Sequence, residues 1–290
     1  MNIIQIFQQF PTQESCMQHL EQTRWHGEPT CVYCGSKNTN PLKIELRHHC
    51  NGCRKSFSVT VGTIFHNTHL PLQKWFLLIG LMLNAKKGLS ACQAARDIEV
   101  RRPTVWSMMH RIRKAMVDNG ALLTGIVEMD ETYVGGKPRK GNKDDDDNTP
   151  SLRGRGTKKI PVVGMVERGG DVKASKATKD TLKSKDLNEL IRKHINPKES
   201  VLITDEYRGY NYASKILPHA RINHSKEYVN GVIHTNTIES FWAIVKRGIV
   251  GQYHRVSGKY LNMYLDEFCY RYNNRGNATV FKSVLKQAVL

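Results

Sequence analysis

Four cysteines in two close pairs constrain the fold of this chain more than any other feature. Cys31-Val-Tyr-Cys34 and Cys50-Asn-Gly-Cys53 form a C-x2-C-x15-C-x2-C array within 290 residues. Two such pairs set four thiolates around one tetrahedral Zn²⁺ when each pair sits in a tight turn. Gly35 and Asn51-Gly52 supply the turn chemistry. A segment this short builds little core of its own, so a structural Zn²⁺ held by Cys31, Cys34, Cys50 and Cys53 takes the place of one. Residues 25–65 therefore read as a zinc ribbon, with strands expected at 42–46 and 56–61. His48 and His49 are alternative ligands, although two cysteine pairs already complete the tetrahedron. Four unrelated cysteines are the bland alternative, and the spacing argues against it. Cys16, Cys92 and Cys269 fall in helix-like segments and read as small buried apolar side chains. An odd cysteine count without a signal-peptide pattern is expected of a reducing, cytoplasmic compartment.

Charge narrows the partners. Lys and Arg number 44 against 26 Asp and Glu, a formal net charge of +18. Such an excess fits a polyanion, either nucleic acid or an anionic membrane face. The longest apolar run, residues 75–83, is far short of the ~18–20 residues that span a bilayer. DNA is the expected partner, and no membrane is.

Ahead of the ribbon, residues 1–24 read as a leading helical segment broken at Pro11, with Ile3, Ile6, Phe7 and Phe10 on one face. Behind it, residues 66–120 turn helical. One apolar helix runs from 72 to 87. Ser90 offers an N-cap for a short helix at 91–97, and Pro103 opens another through Lys114. Short helix, turn and basic second helix suggest a helix-turn-helix, against the duller reading of a linker bundle. Arg101, Arg102 and Thr104 are expected near a DNA groove, with Arg111, Arg113 and Lys114 on phosphates.

Residues 121–290 follow the order of an RNase H-like α/β domain: three strands joined by turns, a crossover helix, another strand, then helices. Asp130 ends one apolar strand-like run and Asp205 another, while Glu239 sits in an amphipathic helix. Oxygen ligands from three such elements suit two Mg²⁺ or Mn²⁺ ions, which drive in-line displacement at a phosphodiester. Lys246 lies two turns beyond Glu239 on the same helix face and could hold a phosphate. Trp242, one turn beyond it, could stack on an unpaired base. Each residue alone has a plain reading as a turn acid, solvated glutamate, surface lysine or core aromatic; their order and spacing favour the joint one. The run Asp144–Asp147 reads as a solvated insertion rather than a metal patch. The aromatics Tyr260, Tyr264, Phe268 and Tyr272 read as a packing stripe.

The segments from Glu128 to Gly136, Thr204 to Tyr210, His234 to Gly248 and Tyr264 to Arg275 resemble insertion-sequence transposases of the IS1595 type, with an ISXO2-like transposase domain. The zinc ribbon and helical segment match that family's layout, so the resemblance covers nearly the whole chain. It implies a DDE recombinase that binds terminal inverted repeats, cleaves at the element ends and joins the 3′ ends to target DNA. It implies work in the prokaryotic cytoplasm, at the nucleoid. Asp130 and Asp205 carry over as metal ligands. The third ligand is Glu239 or Asn236, since some members carry Asn; a carboxylate binds Mg²⁺ better, which favours Glu239 and leaves Asn236 as a nearby or DNA contact. Pairing two DNA ends suggests a homodimer or higher oligomer. Two other readings stay open: a catalytically inactive DNA-binding protein on the same scaffold, and a structure-specific nuclease that cuts without joining.

Overall fold

The computed structural model describes residues 1–116, 120–135, 159–178, 182–222 and 233–290. Gly136 and the Asp144–Asp147 run lie outside these described residues. The chain divides into two compact units, one of Met1–Val117 with Asn274–Leu290 and one of Asp118–Asn273.

The first unit opens with helices α1 (Ile3–Gln9) and α2 (Gln13–Trp25), capped by the Asn2 and Thr12 side chains. The ribbon follows as three antiparallel strands, β1 (Thr39–Leu42), β2 (Arg47–Cys50) and β3 (Ser56–Phe57). The strand expected at 42–46 is mostly the turn between β1 and β2: Leu46 takes a left-handed φ of 51° and Ile44 is fully exposed. Nothing apolar covers that side of the hairpin tip, so local β propensity there has no packing to support it.

Helices α3 (Leu72–Asn84), α4 (Ala91–Asp97) and α5 (Arg102–Ala115) come next. Ser90 caps α4 as expected, its hydroxyl accepting the Gln93 N–H at 3.1 Å. The start of α5 exposes Arg101, Arg102 and Thr104, and Lys114 is exposed near its end. One expected phosphate contact is corrected, and another is already engaged within this unit. Arg113 is only 2 % exposed, on the face of α5 that also buries Met109 and Ile112. Arg111 donates to the His66 carbonyl at 2.6 Å and lies over the Trp75 ring at 5.2 Å. Helical periodicity turns Arg113 toward this unit's interior, away from any phosphate, whereas Arg111, two positions earlier and partly exposed, is held by the His66 carbonyl and the Trp75 ring. Cys16 is buried as expected, but Cys92 is exposed on α4 and Cys269 only partly covered.

The last helix, α9 (Val280–Ala288), belongs to this first unit rather than continuing the region that begins at 121. Its apolar face, with Phe281, Val284 and Leu285 buried, closes the core of α2, α3 and α5. Phe281 meets Phe76 at 6.0 Å, and Phe76 meets Phe10 edge to face at 4.8 Å. An amphipathic helix settles where apolar surface awaits it, whatever its place in the chain.

The second unit is a five-stranded sheet with helices on both faces. Its strands are β4 (Leu123–Val134), β5 (Ile160–Glu167), β6 (Val172–Lys176), β7 (Ile195–Thr204) and β8 (His219–Arg221), in spatial order β6-β5-β4-β7-β8. The first three pair antiparallel; β7 returns parallel to β4 through helix α6 (Ser184–His194), and β8 adds parallel to β7. This is the order expected for an RNase H-like sheet, except that the short edge strand β8 was not foreseen. Along β4, Val127 and Met129 pack under α6. The alternate residues face α7 (Asn236–Gly248), which packs with α8 (Leu261–Asn273) on the other face. Tyr264 and Phe268 of the aromatic stripe are buried there. Among the described residues no helix is long and apolar enough to cross a membrane.

Candidate active site

The parallel pair β4–β7 fixes two of the acids. Register places Met129 opposite Thr204, the last residue of β7, so Asp130 and Asp205 follow at adjacent positions. From there β7 leaves the sheet, while β4 runs on to Val134 beside β5. The result is a notch at the carboxyl end of a parallel strand, where open α/β sheets commonly bind ligands. A cleft of about 480 Å³ opens here, lined among others by Asp130, Glu131, Asp205, Glu239, Trp242 and Lys246.

The structure thus brings Asp130, Asp205, Glu239 and Lys246 to one cleft. The tightest carboxylate set differs from the expected trio, however. Asp130, Glu131 and Asp205 each offer an oxygen within 4.8 Å of the others, and Glu239 is outside that set. Glu239 sits in the first turn of α7, where it accepts a hydrogen bond from the Thr235 hydroxyl at 3.0 Å. Asn236 is exposed at the start of α7 and does not line the cleft.

Trp242 is the clearest correction at the site. It is 3 % exposed, and its indole lies over Gly164, where any Cβ would come within 2.5 Å of the ring. Gly164 pairs directly with Asp130 across β4–β5, and the Trp242 Nε1–H donates to Asp130 Oδ2 at 3.1 Å. With its face covered by the sheet, Trp242 has no surface to offer a base; it orients the carboxylate instead.

Burial pushes the Asp130 carboxyl from 3.8 up to about 7, and the negative charges of Glu131 and Asp205 add to the effect. Like charges held this close are costly unless a cation or a proton joins them. Asp205 accepts the Tyr207 N–H at 3.0 Å, which closes the turn after β7. Tyr210 is fully buried and donates its hydroxyl to Glu131 Oε2 at 2.9 Å. Burial, then the charge of Glu131, holds the Tyr210 phenol well above its ordinary range, so it stays a donor.

Glu128 anchors α7, and sequence reasoning missed it. Two residues before Asp130 and on the same face, it is completely buried and ion-paired to Arg168 at 2.6 Å. It accepts the backbone N–H groups of Thr237 and Ile238 at 2.8 and 3.0 Å, together with the Thr237 hydroxyl. Arg168 also donates to the His234 carbonyl at 2.9 Å. A carboxylate at the positive end of a helix, itself neutralised by arginine, pins the start of α7 to the strand that carries Asp130. The only hint in the sequence is the Glu-x-Asp spacing.

In the first unit, the four ribbon cysteines also lie within 4.8 Å of one another. The Cys31–Cys53 and Cys34–Cys50 sulfurs are each 3.6 Å apart. Four thiolates at ~2.3 Å from a tetrahedral ion would be ~3.8 Å apart, so the set fits such a metal. His48 is engaged elsewhere, bonded to Glu21 at 2.8 Å beside Trp25 and Phe57.

Comparison with known proteins agrees with this layout. Residues 122–273 match the ISXO2-like transposase domain, and residues 11–56 match the transposase zinc-ribbon domain. A relative from Halobacterium salinarum, described as an uncharacterized protein in transposable element ISH50, is 28% identical over 264 residues, covering 86% of this chain and 87% of that protein. A crystal structure of a pre-cleavage Mos1 transpososome shares 12% identity over 72% of this chain and 76% of that one, with a TM-score of 0.30. A Mos1 transposase paired-end complex with the left transposon end shares 13% over 73% and 78%, with a TM-score of 0.28. Scores this low give those two structures no weight for fold or function. The transposase-domain match alone spans more than half of the chain, and the protein belongs to the IS1595-type, ISXO2-like family of insertion-sequence transposases.

Proposed function

We propose that the protein is a DDE transposase that binds the terminal inverted repeats of its element, cleaves at the element ends and transfers the 3′ ends to target DNA. The observation that carries this reading is the meeting of Asp130, within β4, and Asp205, just past the end of the neighbouring β7, in one cleft with Glu239 and Lys246. The donor set is all carboxylate oxygen, which suits Mg²⁺ or Mn²⁺ rather than a soft metal. Asp130, Asp205 and Glu239 would hold the ions. Bound there, such ions neutralise charge at phosphorus and stabilise both the attacking and the leaving oxygen. Lys246 holds a DNA phosphate by charge. Trp242 keeps one oxygen of Asp130 in a fixed direction, and the Glu128–Arg168 pair keeps α7 at its distance from β4. The four cysteines hold a structural Zn²⁺.

DNA binding draws on the +18 charge and on the exposed start of α5, where Arg101, Arg102 and Thr104 would approach a groove as a helix-turn-helix does, with Lys114 on a phosphate. The protein acts on nucleoid DNA in the cytoplasm, as a homodimer or higher oligomer that pairs two ends. The test is Mg²⁺- or Mn²⁺-dependent nicking of element-end DNA, followed by strand transfer. Asp130→Asn and Asp205→Asn should each abolish cleavage while leaving DNA affinity within about twofold, because neither removes a cationic phosphate contact. Persisting cleavage in either variant would overturn the assignment, and cutting without joining would make the protein a nuclease.

A further inference from the structure

By strand alternation Glu131 faces away from Asp130, toward the α6 side of the sheet. Its carboxylate nevertheless shares the 4.8 Å cluster with Asp130 and Asp205. The notch explains how. Because β7 stops at Thr204, no strand closes that edge of β4 beyond Met129, and a long side chain from the far face can reach round to the gap. We propose that Glu131 is a further ligand of the divalent ion held between Asp130 and Asp205, and that Tyr210 positions it there. The inference rests on the two-metal reading above and deepens it.

Three features support it. The cleft holds a close trio of carboxylates where β7 ends beside β4, while Glu239 on α7 lines the same cleft outside that trio. Next, the Glu131 side chain is not loose: the fully buried Tyr210 hydroxyl binds its Oε2 at 2.9 Å. A neutral donor on one carboxylate oxygen fixes the group's orientation while leaving its charge for the ion, the usual arrangement behind metal-ligating carboxylates. Finally, three carboxylates this close repel one another, and a hard divalent cation that accepts six or more oxygens removes the repulsion.

The test is Mn²⁺ binding to the full-length, zinc-loaded protein, followed by calorimetry and by the electron paramagnetic resonance signal of free Mn²⁺. Wild type should bind two ions. E131Q should weaken one of them by about tenfold or more and leave the other nearly unchanged, while E239Q should weaken the other one. Y210F keeps the ring packing and removes only the hydroxyl, so it should weaken the same ion as E131Q, by about three- to tenfold. A merely structural tyrosine would not select one ion. Wild-type affinities for both ions in E131Q and Y210F would overturn the proposal. Weakening in E131Q alone would remove the Tyr210 half of it. If E131Q does not fold, Y210F decides. Should Asp130→Asn bind two ions as wild type does, the two-metal reading itself fails, a distinct outcome.

Discussion

Asp130 should be a stability liability in the protein without divalent ions at its carboxylate cluster, and replacing it should show that directly. Its carboxyl is raised from 3.8 to about 7, first by burial and then by Glu131 and Asp205. For an acid raised in the folded state, the sign is fixed. Below pH 3.8 the group is protonated in both folded and unfolded chains, and nothing is lost. Between there and pH 7 the unfolded chain ionises first, so stability falls as pH rises. Above pH 7 the full penalty is present. A rise of about three pH steps at ~1.4 kcal/mol each sets an upper figure of ~4 kcal/mol, and relaxation of a partly solvated cluster leaves about 2–4 kcal/mol. Asparagine cannot ionise and still offers an oxygen to the Trp242 N–H. Asp130→Asn, free of Mg²⁺ and Mn²⁺ but with zinc retained, should therefore be more stable than wild type at pH 8 by about 2–4 kcal/mol and equal to it near pH 4. Hydrogen exchange of peptides from β4 and β5, corrected for intrinsic rates, reads this unit separately from the other. Added Mg²⁺ should then stabilise wild type, by ~2.7 kcal/mol at a hundred times Kd, and leave the variant behind. A variant no more stable than wild type at pH 8, or a gap that does not change with pH, would refute the reasoning.

Other perturbations separate the parts of the molecule. Glu128→Ala leaves the partly covered Arg168 without its carboxylate and the first N–H groups of α7 unpaired, and should cost about 3 kcal/mol in the second unit, measurable by urea unfolding. Cys31→Ser should unfold the ribbon, seen as released zinc and faster hydrogen exchange in β2, while Mn²⁺ affinity at the acidic cluster stays as in wild type. Lys114→Ala should weaken DNA binding and lower the salt dependence of log K by about 0.9, for the one phosphate no longer neutralised. Arg113→Ala should instead lower stability and leave that slope alone, because the side chain is buried.

What the sequence made legible, and what it hid, follows from which signals are local. The cysteine spacing, the Ser90 cap and the position of Asp205 just past β7 are local patterns, and each appears in the structure as expected, whereas Asp130 lies within β4, which runs on to Val134. Glu131 was hidden because alternation along β4 assigns it to the opposite face, and only the end of β7, a tertiary fact, opens the notch. Trp242 is indistinguishable in sequence from a stacking aromatic; the glycine that makes room for it stands on another strand. Glu128 reads as one more charge beside Asp130 until α7 is seen to begin on it. Arg113 looked like part of a basic face because counting charges does not reveal which side of α5 meets the core. The placement of α9 in the first unit was equally out of reach, since chain order alone suggested a continuation. β8 has only three residues, too few for a periodic pattern.

The central claim is that carboxylates from separate elements gather divalent ions for phosphodiester chemistry. Its most direct test is anomalous diffraction from crystals of the protein with element-end DNA, grown with Mn²⁺. Manganese peaks ~2.2 Å from oxygens of both Asp130 and Asp205, beside a DNA phosphate, are the expected result. Manganese bound elsewhere on the complex, with those two carboxylates facing only water, would contradict it.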